Sequence, residues 1–302
     1  MARWRDPSQW LKGSMVALVT PFFKGHLDRE TLRRLVAFHI RSGTSVLVPC
    51  GTTGESATLS WEEHERVIEW TIEATGGRIP VVAGTGSNNT EEAIRMTQHA
   101  ERVGAQGALI IAPYYNKPTQ EGIFQHVQAI AQATRLPLIL YNIASRTGVN
   151  IEPETFARLC KIPNVVGVKE ASGSLEQMSR IKALCGERFV LISGDDALTL
   201  PVLAIGGTGV ISVVANLLPK RVAQMIRAFE KGHWQQARRI HYELLPLVKA
   251  MFIETNPIPV KTAMGILGML RDPSLRLPLC PMTPAHLAQL KEVLQSYRFD
   301  WS

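Results

Sequence analysis

The sequence predicts an α/β protein: a closed (β/α)8 TIM barrel over residues 1–231, followed by an all-helical extension over residues 232–302. Three observations predict it. Short apolar runs bounded by turn residues recur along the chain at a spacing of about thirty residues, each followed by apolar residues at helical spacing. There are eight such repeats and they fill roughly two hundred residues, the size of a closed barrel. The Gly-x-Gly-x-x-Gly fingerprint of an open dinucleotide-binding sheet is absent after the first strand.

Taken in order, Met15-Val-Ala-Leu-Val-Thr reads as the first strand, stopped by Pro21. Residues 28–42 carry apolar side chains at helical spacing (Leu32, Leu35, Val36, Ile40), and Gly43 supplies the stop. Ser45 to Cys50 is the second strand. The helix from Trp61 to Thr75 carries a capping box, Ser60 with Glu63. Ile79 to Ala83 is the third strand, and a helix from Thr90 to Val103 is capped by Asn89 or Thr90. Strands at Gly107–Ala112, Leu136–Tyr141, Val165–Val168, Phe189–Ser193 and Gly209–Val213 follow. Their helices lie at Gln120–Thr134, Glu154–Cys160, Leu175–Cys185, Leu198–Ile205 and Lys220–Glu230. Beyond Gly232 the strand pattern stops, and residues 233–253, 260–270 and 284–297 read as helices.

A chain of 302 residues is long enough for one large α/β core with an appendage. Its four cysteines are scattered without a Cys-x-x-Cys spacing and read as buried thiols of a reducing compartment, which makes the cytoplasm the default location. The opening Met1-Ala-Arg-Trp-Arg-Asp has no apolar stretch behind it and does not read as a secretory signal. No apolar run reaches the roughly 18 residues of a membrane span. The net charge of +7 is spread over many helices without a nucleic-acid-binding motif, so neither membrane nor nucleic acid is expected as a partner.

In a barrel of this kind the chemistry sits where the strands end at their carboxyl face. Lys169 follows the buried run Val165 to Val168 and stands at such an end. Desolvation disfavours an ammonium there and favours a neutral amine, a nucleophile whose natural electrophile is a carbonyl. The reading is a Schiff-base lysine. Lys249 and Lys261 also follow a valine, but in helical or Pro-flanked surroundings. The other strand ends carry Gly51-Thr-Thr-Gly-Glu-Ser56, Pro113-Tyr-Tyr-Asn116, Tyr141-Asn142 with Ser145-Arg146-Thr147-Gly148, Gly194-Asp195-Asp196 and Ser212. Three of the five tyrosines, Tyr114, Tyr115 and Tyr141, gather at this face. Hydroxyls of Thr52, Tyr115 and Tyr141 suit a proton relay to a carbinolamine on Lys169. Arg146 suits a carboxylate, and the Gly51–Gly54 turn offers backbone N–H groups to a second one.

Other chemistries find little support. All eight histidines fall in predicted helices or loops. No spacing suggests a metal site, and Asp195 and Asp196 read better as a helix N-cap pair than as metal ligands. Neither a phosphate-binding Gly-x-x-x-x-Gly-Lys nor a Gly-x-Ser-x-Gly elbow occurs.

Together with Val168-Lys-Glu-Ala171, Ser193-Gly-Asp-Asp196 and Asn256-Pro-Ile-Pro-Val-Lys261, these strand-end motifs resemble the dihydrodipicolinate synthase family, within the pyruvate-dependent class I aldolases that include N-acetylneuraminate lyase. The match runs in order over nearly the whole chain. The resemblance implies condensation of pyruvate with L-aspartate 4-semialdehyde toward diaminopimelate and lysine, through a covalent imine and without a cofactor or metal. It implies Lys169 as the imine-forming lysine and Tyr141 as general acid/base, with Thr52 linking Tyr141 to a Tyr115 supplied by the neighbouring subunit. Thr53 would bind the pyruvate carboxylate through its N–H, and Arg146 the semialdehyde carboxylate. Backbone carbonyls of Gly194 and Ile211 would line the pocket. A site completed across an interface implies a homodimer, commonly paired into a homotetramer.

Sialic acid lyases usually read Ser-Thr in the Gly-rich turn and lack the arginine, so Thr52 with Arg146 favours the synthase over a sister aldolase. A barrel without chemistry, serving as a scaffold, is disfavoured because every residue the mechanism needs is present. Two departures stand out. Ala144 replaces a proline common in the family, which implies a looser Arg146 loop. Trp61 replaces a histidine of some relatives within the set that would bind L-lysine as feedback inhibitor, namely Ser56, Ala57, Trp61, His64, Asn88, Glu92 and Tyr114.

Overall fold

The computed structural model describes residues 6–301. The charged opening, read above as no secretory signal, lies in residues 1–5 outside the described residues. Eight strands form the main sheet: β1 (Gly13–Ala17), β2 (Val46–Val48), β3 (Val82–Gly84), β4 (Gly107–Ile111), β5 (Leu138–Asn142), β6 (Val165–Glu170), β7 (Val190–Ser193) and β8 (Gly209–Ser212). Their order is β2-β1-β8-β7-β6-β5-β4-β3. An open sheet wound outward from its first strand does not place the eighth strand beside the first. This order is that of a (β/α)8 barrel, and among the described residues the regular elements after residue 232 are all helices.

The chain divides into two compact units. One holds Pro80–Ile211 with the N-terminal segment to Lys12. Its strands pair in parallel register, and the Val, Ile, Leu and Ala side chains of β3, β4 and β5 are almost wholly buried, apart from the half-buried Ile111 at the end of β4. Strands buried on both faces need continuous apolar runs rather than alternation, which is why these segments were legible as short hydrophobic runs. Their helices start at side-chain caps: Asn89 accepts from Glu91 and Glu92 N–H, Thr119 from Gly122, and Ser174 from Gln177. Asp195 caps its short turn by accepting from the Ala197 N–H, the expected N-cap role.

The other unit holds Gly13–Ile79 and Ser212–Ser302. Here β1 pairs in parallel with β2. The helix Arg29–Ser42 stops at Gly43, whose φ of 82° is left-handed, and the Ser60–Glu63 capping box opens the helix Trp61–Thr75. Within this unit the helix Pro219–Glu230 packs on Trp234–Ala250, which in turn meets Pro284–Gln295. The C-terminal helices therefore share a compact unit with β1 and β2.

Several expectations are corrected. The second strand ends at Val48, because Cys50 turns to a φ of 55° and starts the Gly-rich turn. His26 lies in a strand, in the hairpin Phe22–Phe23/His26–Leu27 that its two-residue arms hid from pattern reading. Of the four cysteines only Cys50 is buried; Cys160 and Cys185 are half-buried and Cys280 is exposed. Among the described residues no helix is long and apolar enough to cross a membrane.

Candidate active site

Lys169 and Tyr141 are direct register partners on β6 and β5. Partners in register send their side chains to the same face of a sheet. The Lys169 Nζ accordingly lies 4.1 Å from the centroid of the Tyr141 ring. Both residues are buried, at 6% and 5% exposure. Among the described residues no carboxylate forms an ion pair with Lys169, so the ring face is its electrostatic neighbour. Gly194 presses against the lysine stem. A Cβ there would stand 3.2 Å from Lys169 Cγ, 3.1 Å from the Glu170 carbonyl and 2.7 Å from Ala171 Cβ. The Gly194 N–H donates to that Glu170 carbonyl at 2.7 Å, which fixes the approach. Ile211, at the end of β8, is buried.

The next residues along, Asn142 and Glu170, pair in the same register and face the other way. Both are fully buried. The Asn142 Nδ2 donates to Glu170 Oε2 at 2.9 Å and to Asn150 Oδ1 at 2.8 Å. The Ser172 N–H donates to Glu170 Oε1 at 2.6 Å, and Gln177 Nε2 donates to Oε2 at 3.3 Å and to Asn150 Oδ1 at 3.1 Å. A buried carboxylate satisfied by neutral donors costs less than an unsatisfied one, and its network locks the strand ends. Sequence reading missed this network. Its one signal was the polar doublet after each apolar run, Tyr-Asn and Lys-Glu.

Arg146 sits on a helical turn, Ala144–Thr147, closed by Gly148 at a φ of 75°. The Arg146 and Thr147 N–H groups donate to the Ile143 carbonyl, and Thr147 Oγ1 donates to the Val149 carbonyl at 2.9 Å. Ala144 opens this turn, a position where alanine is a good helix former. Tyr115 adopts a φ of 70°, and its side chain stands 88% exposed. The sequence reading placed it after a strand and assigned it to the neighbouring subunit's site. Asn88 Nδ2 donates to the Tyr114 carbonyl, Asn116 Nδ2 to the Asn88 carbonyl, and Ser87 Oγ to Glu92. Asn88 and Tyr114 of the inhibitor set thus belong to linked loops after β3 and β4, and Glu92 sits in the first turn of the helix Thr90–Arg102.

In the other unit, Thr52–Gly54 and Ser56–Thr58 form consecutive 3₁₀ turns joined at Glu55. As first residues of such a turn, Thr52 and Thr53 have no intrahelical acceptor for their N–H groups. Gly54 permits the turn to lie close to β1, since a Cβ would stand 3.0 Å from the Leu18 carbonyl. Glu55 is buried and ion-paired to Lys261 at 2.6 Å. Ser56, Ala57, Trp61 and His64 follow on the second turn and the helix after it, with His64 buried and its carbonyl accepting from Cys50 Sγ. Among the described residues no three His, Cys, Asp or Glu side chains gather as a metal-binding group.

The dihydrodipicolinate synthetase family model matches residues 10–297. A 4-hydroxy-tetrahydrodipicolinate synthase of Syntrophus aciditrophicus is 56% identical over 95% of this chain and 98% of its own length. Among solved structures, dihydrodipicolinate synthase from Aquifex aeolicus superposes with a TM-score of 0.93 at 50% identity, covering 95% of this chain and 98% of that one. The enzyme from Cyanidioschyzon merolae with lysine bound gives a TM-score of 0.91 at 42% identity, covering 95% of this chain and 98% of that one.

Proposed function

The chain belongs to the dihydrodipicolinate synthetase family, and from that membership and the geometry of β5 and β6 we propose that Lys169 is the amine through which it works. The activity is the condensation of pyruvate with L-aspartate 4-semialdehyde, a lyase-type carbon–carbon bond formation in lysine and diaminopimelate biosynthesis. One observation carries the role of Lys169: a buried amine over the Tyr141 ring, with no carboxylate paired to it among the described residues.

The lone pair of the Lys169 Nζ attacks C2 of pyruvate to give a carbinolamine, which loses water to form the imine. Tyr141 delivers and removes the protons of these steps. The imine draws electrons from C3, whose proton is lost to give an enamine. The enamine carbon attacks the aldehyde carbon of the semialdehyde, and the aldehyde oxygen takes a proton to become a hydroxyl. The amino group of the second substrate then adds to C2 and displaces Lys169, closing a six-membered ring and freeing the enzyme. No further oxidant, metal or cofactor enters this balance.

Thr53 holds the pyruvate carboxylate through its N–H, Thr52 links Tyr141 to the relay, Arg146 binds the semialdehyde carboxylate, and the Gly194 and Ile211 carbonyls line the pocket. The exposure of Tyr115 supports its service to the site of a second copy, so the working form is a homodimer, paired into a homotetramer, in the cytoplasm. L-Lysine is the inhibitor, with Ser56, Ala57, Trp61, His64, Asn88, Glu92 and Tyr114 as its contacts.

The test is a pair of assays on the purified chain. Turnover of pyruvate with L-aspartate 4-semialdehyde, none with N-acetylneuraminate, and a loss of roughly 10²–10⁴-fold in Tyr141→Phe are expected. Cleavage of N-acetylneuraminate in place of condensation, or full activity in Tyr141→Phe, contradicts the reading.

A further inference from the structure

The Asn256-Pro-Ile-Pro-Val-Lys261 motif has no part in the chemistry above, yet its polar ends both reach the Gly-rich turn. Asn256 Nδ2 donates to Thr53 Oγ1 at 3.0 Å, between residues 5% and 2% exposed. Lys261 Nζ donates to Glu55 Oε1 at 2.6 Å and to the Ser274 carbonyl at 2.7 Å, and the Arg276 N–H donates to Glu55 Oε2 at 3.2 Å. The Phe22 ring centroid lies 4.2 Å from Lys261 Nζ and 4.3 Å from the Arg276 guanidinium carbon. Glu55 itself holds a φ of 55°. A non-glycine residue keeps that conformation only where its surroundings over-determine it, and here both carboxylate oxygens are tied to the C-terminal segment.

We infer that residues 256–276 set the shape of the Thr52–Thr53 turn, with Asn256, Lys261 and Arg276 as positioning residues for pyruvate binding. Asn256 fixes the rotamer of Thr53 from the hydroxyl side. Lys261 and Arg276 hold Glu55, and with it the joint between the two 3₁₀ turns. The N–H groups of Thr52 and Thr53 then point at a carboxylate before it arrives, which lowers the ordering cost of binding. The C-terminal extension thereby takes part in substrate affinity. The inference rests on the assignment of Thr53 to the pyruvate carboxylate.

Steady-state kinetics of Asn256→Ala, Thr53→Val and the double variant, each checked for fold by melting temperature, test it. Thr53→Val keeps the backbone N–H and removes only the hydroxyl that Asn256 grips. Each single variant is expected to raise the KM for pyruvate roughly tenfold, with the KM for the aldehyde unmoved and kcat changed by less than about threefold. The double variant is expected to match the singles, because both remove one contact. Should Asn256→Ala not fold, Thr53→Val alone carries the test. An unchanged pyruvate KM in a folded single variant, or additive effects in the double, overturns the inference. Absence of a borohydride-trapped pyruvate adduct on the wild-type chain would instead remove the underlying reading, so the two failures are distinguishable.

Discussion

Two buried lysines occupy the two compact units, and they differ in one respect. Lys169 lies 4.1 Å from the Tyr141 ring centroid, and Lys261 lies 4.2 Å from that of Phe22. Both are shielded from water. Lys261 has a carboxylate at 2.6 Å, whereas Lys169 has none among the described residues. Burial pushes the Lys261 ammonium below the ordinary lysine range, and Glu55 pulls it back. A third lysine, Lys249, follows a valine as these two do but sits exposed on its helix. Burial alone therefore does not make a reactive amine. What separates the two is the counter-charge: the Glu55 carboxylate engages the Lys261 nitrogen, and no such partner engages Lys169 among the described residues.

The comparison is broken most severely by exchanging what each lysine does. Lys169→Met should fold and lose condensation activity by on the order of 10⁴-fold or more, since nothing else in the site supplies the covalent step. An activity assay with a melting curve checks both halves. Lys261→Met should act on stability instead. It strands the Glu55 carboxylate in a buried site and costs about 3–5 kcal/mol, while Lys261→Met with Glu55→Gln recovers most of that loss. Denaturant unfolding of the two variants reads the difference.

Smaller changes sharpen the comparison. Gly194→Ala places a Cβ 3.2 Å from Lys169 Cγ and 2.7 Å from Ala171 Cβ. Displacing the amine by a fraction of an ångström should lower kcat by about 10²-fold, with a modest drop in melting temperature. The buried histidines extend the same logic to weaker bases. Burial pushes His39 down to about 3 and His126 down to about 4, and their recorded polar partners are the Thr44 and Thr90 hydroxyls. The unfolded chain takes up both protons as pH falls below the ordinary histidine value of about 6.5, and the folded chain does not. Stability should fall from pH 6.5 toward 4, by up to about 1.4 kcal/mol per pH unit for each histidine. His39→Gln should flatten that slope in pH-dependent unfolding.

Lys169 was legible because a buried parallel strand announces itself as an apolar run, and the residue that ends the run is placed by that fact alone. Tyr141 was placed at the same face because it ends its own strand, but its direct register with Lys169 was not legible, because register joins residues that no local pattern relates. The Glu170–Asn142–Asn150–Gln177 network was hidden for the same reason, since its members come from separate segments. Tyr115 is a different case. Its place after a strand was read correctly, but a left-handed φ on a tyrosine has no signature in the sequence, and it decides which way the ring faces. The Glu55–Lys261 pair spans a separation of 206 residues. The motif carrying Lys261 was visible while its use was not.

Borohydride reduction in the presence of pyruvate, followed by mass spectrometry of the peptides, tests the central claim most directly because all three valine-preceded lysines are present in one chain. A single reduced pyruvyl adduct on the peptide carrying Lys169, with Lys249 and Lys261 unmodified, is the predicted result. An adduct on Lys261, or no adduct on any of them, contradicts the account.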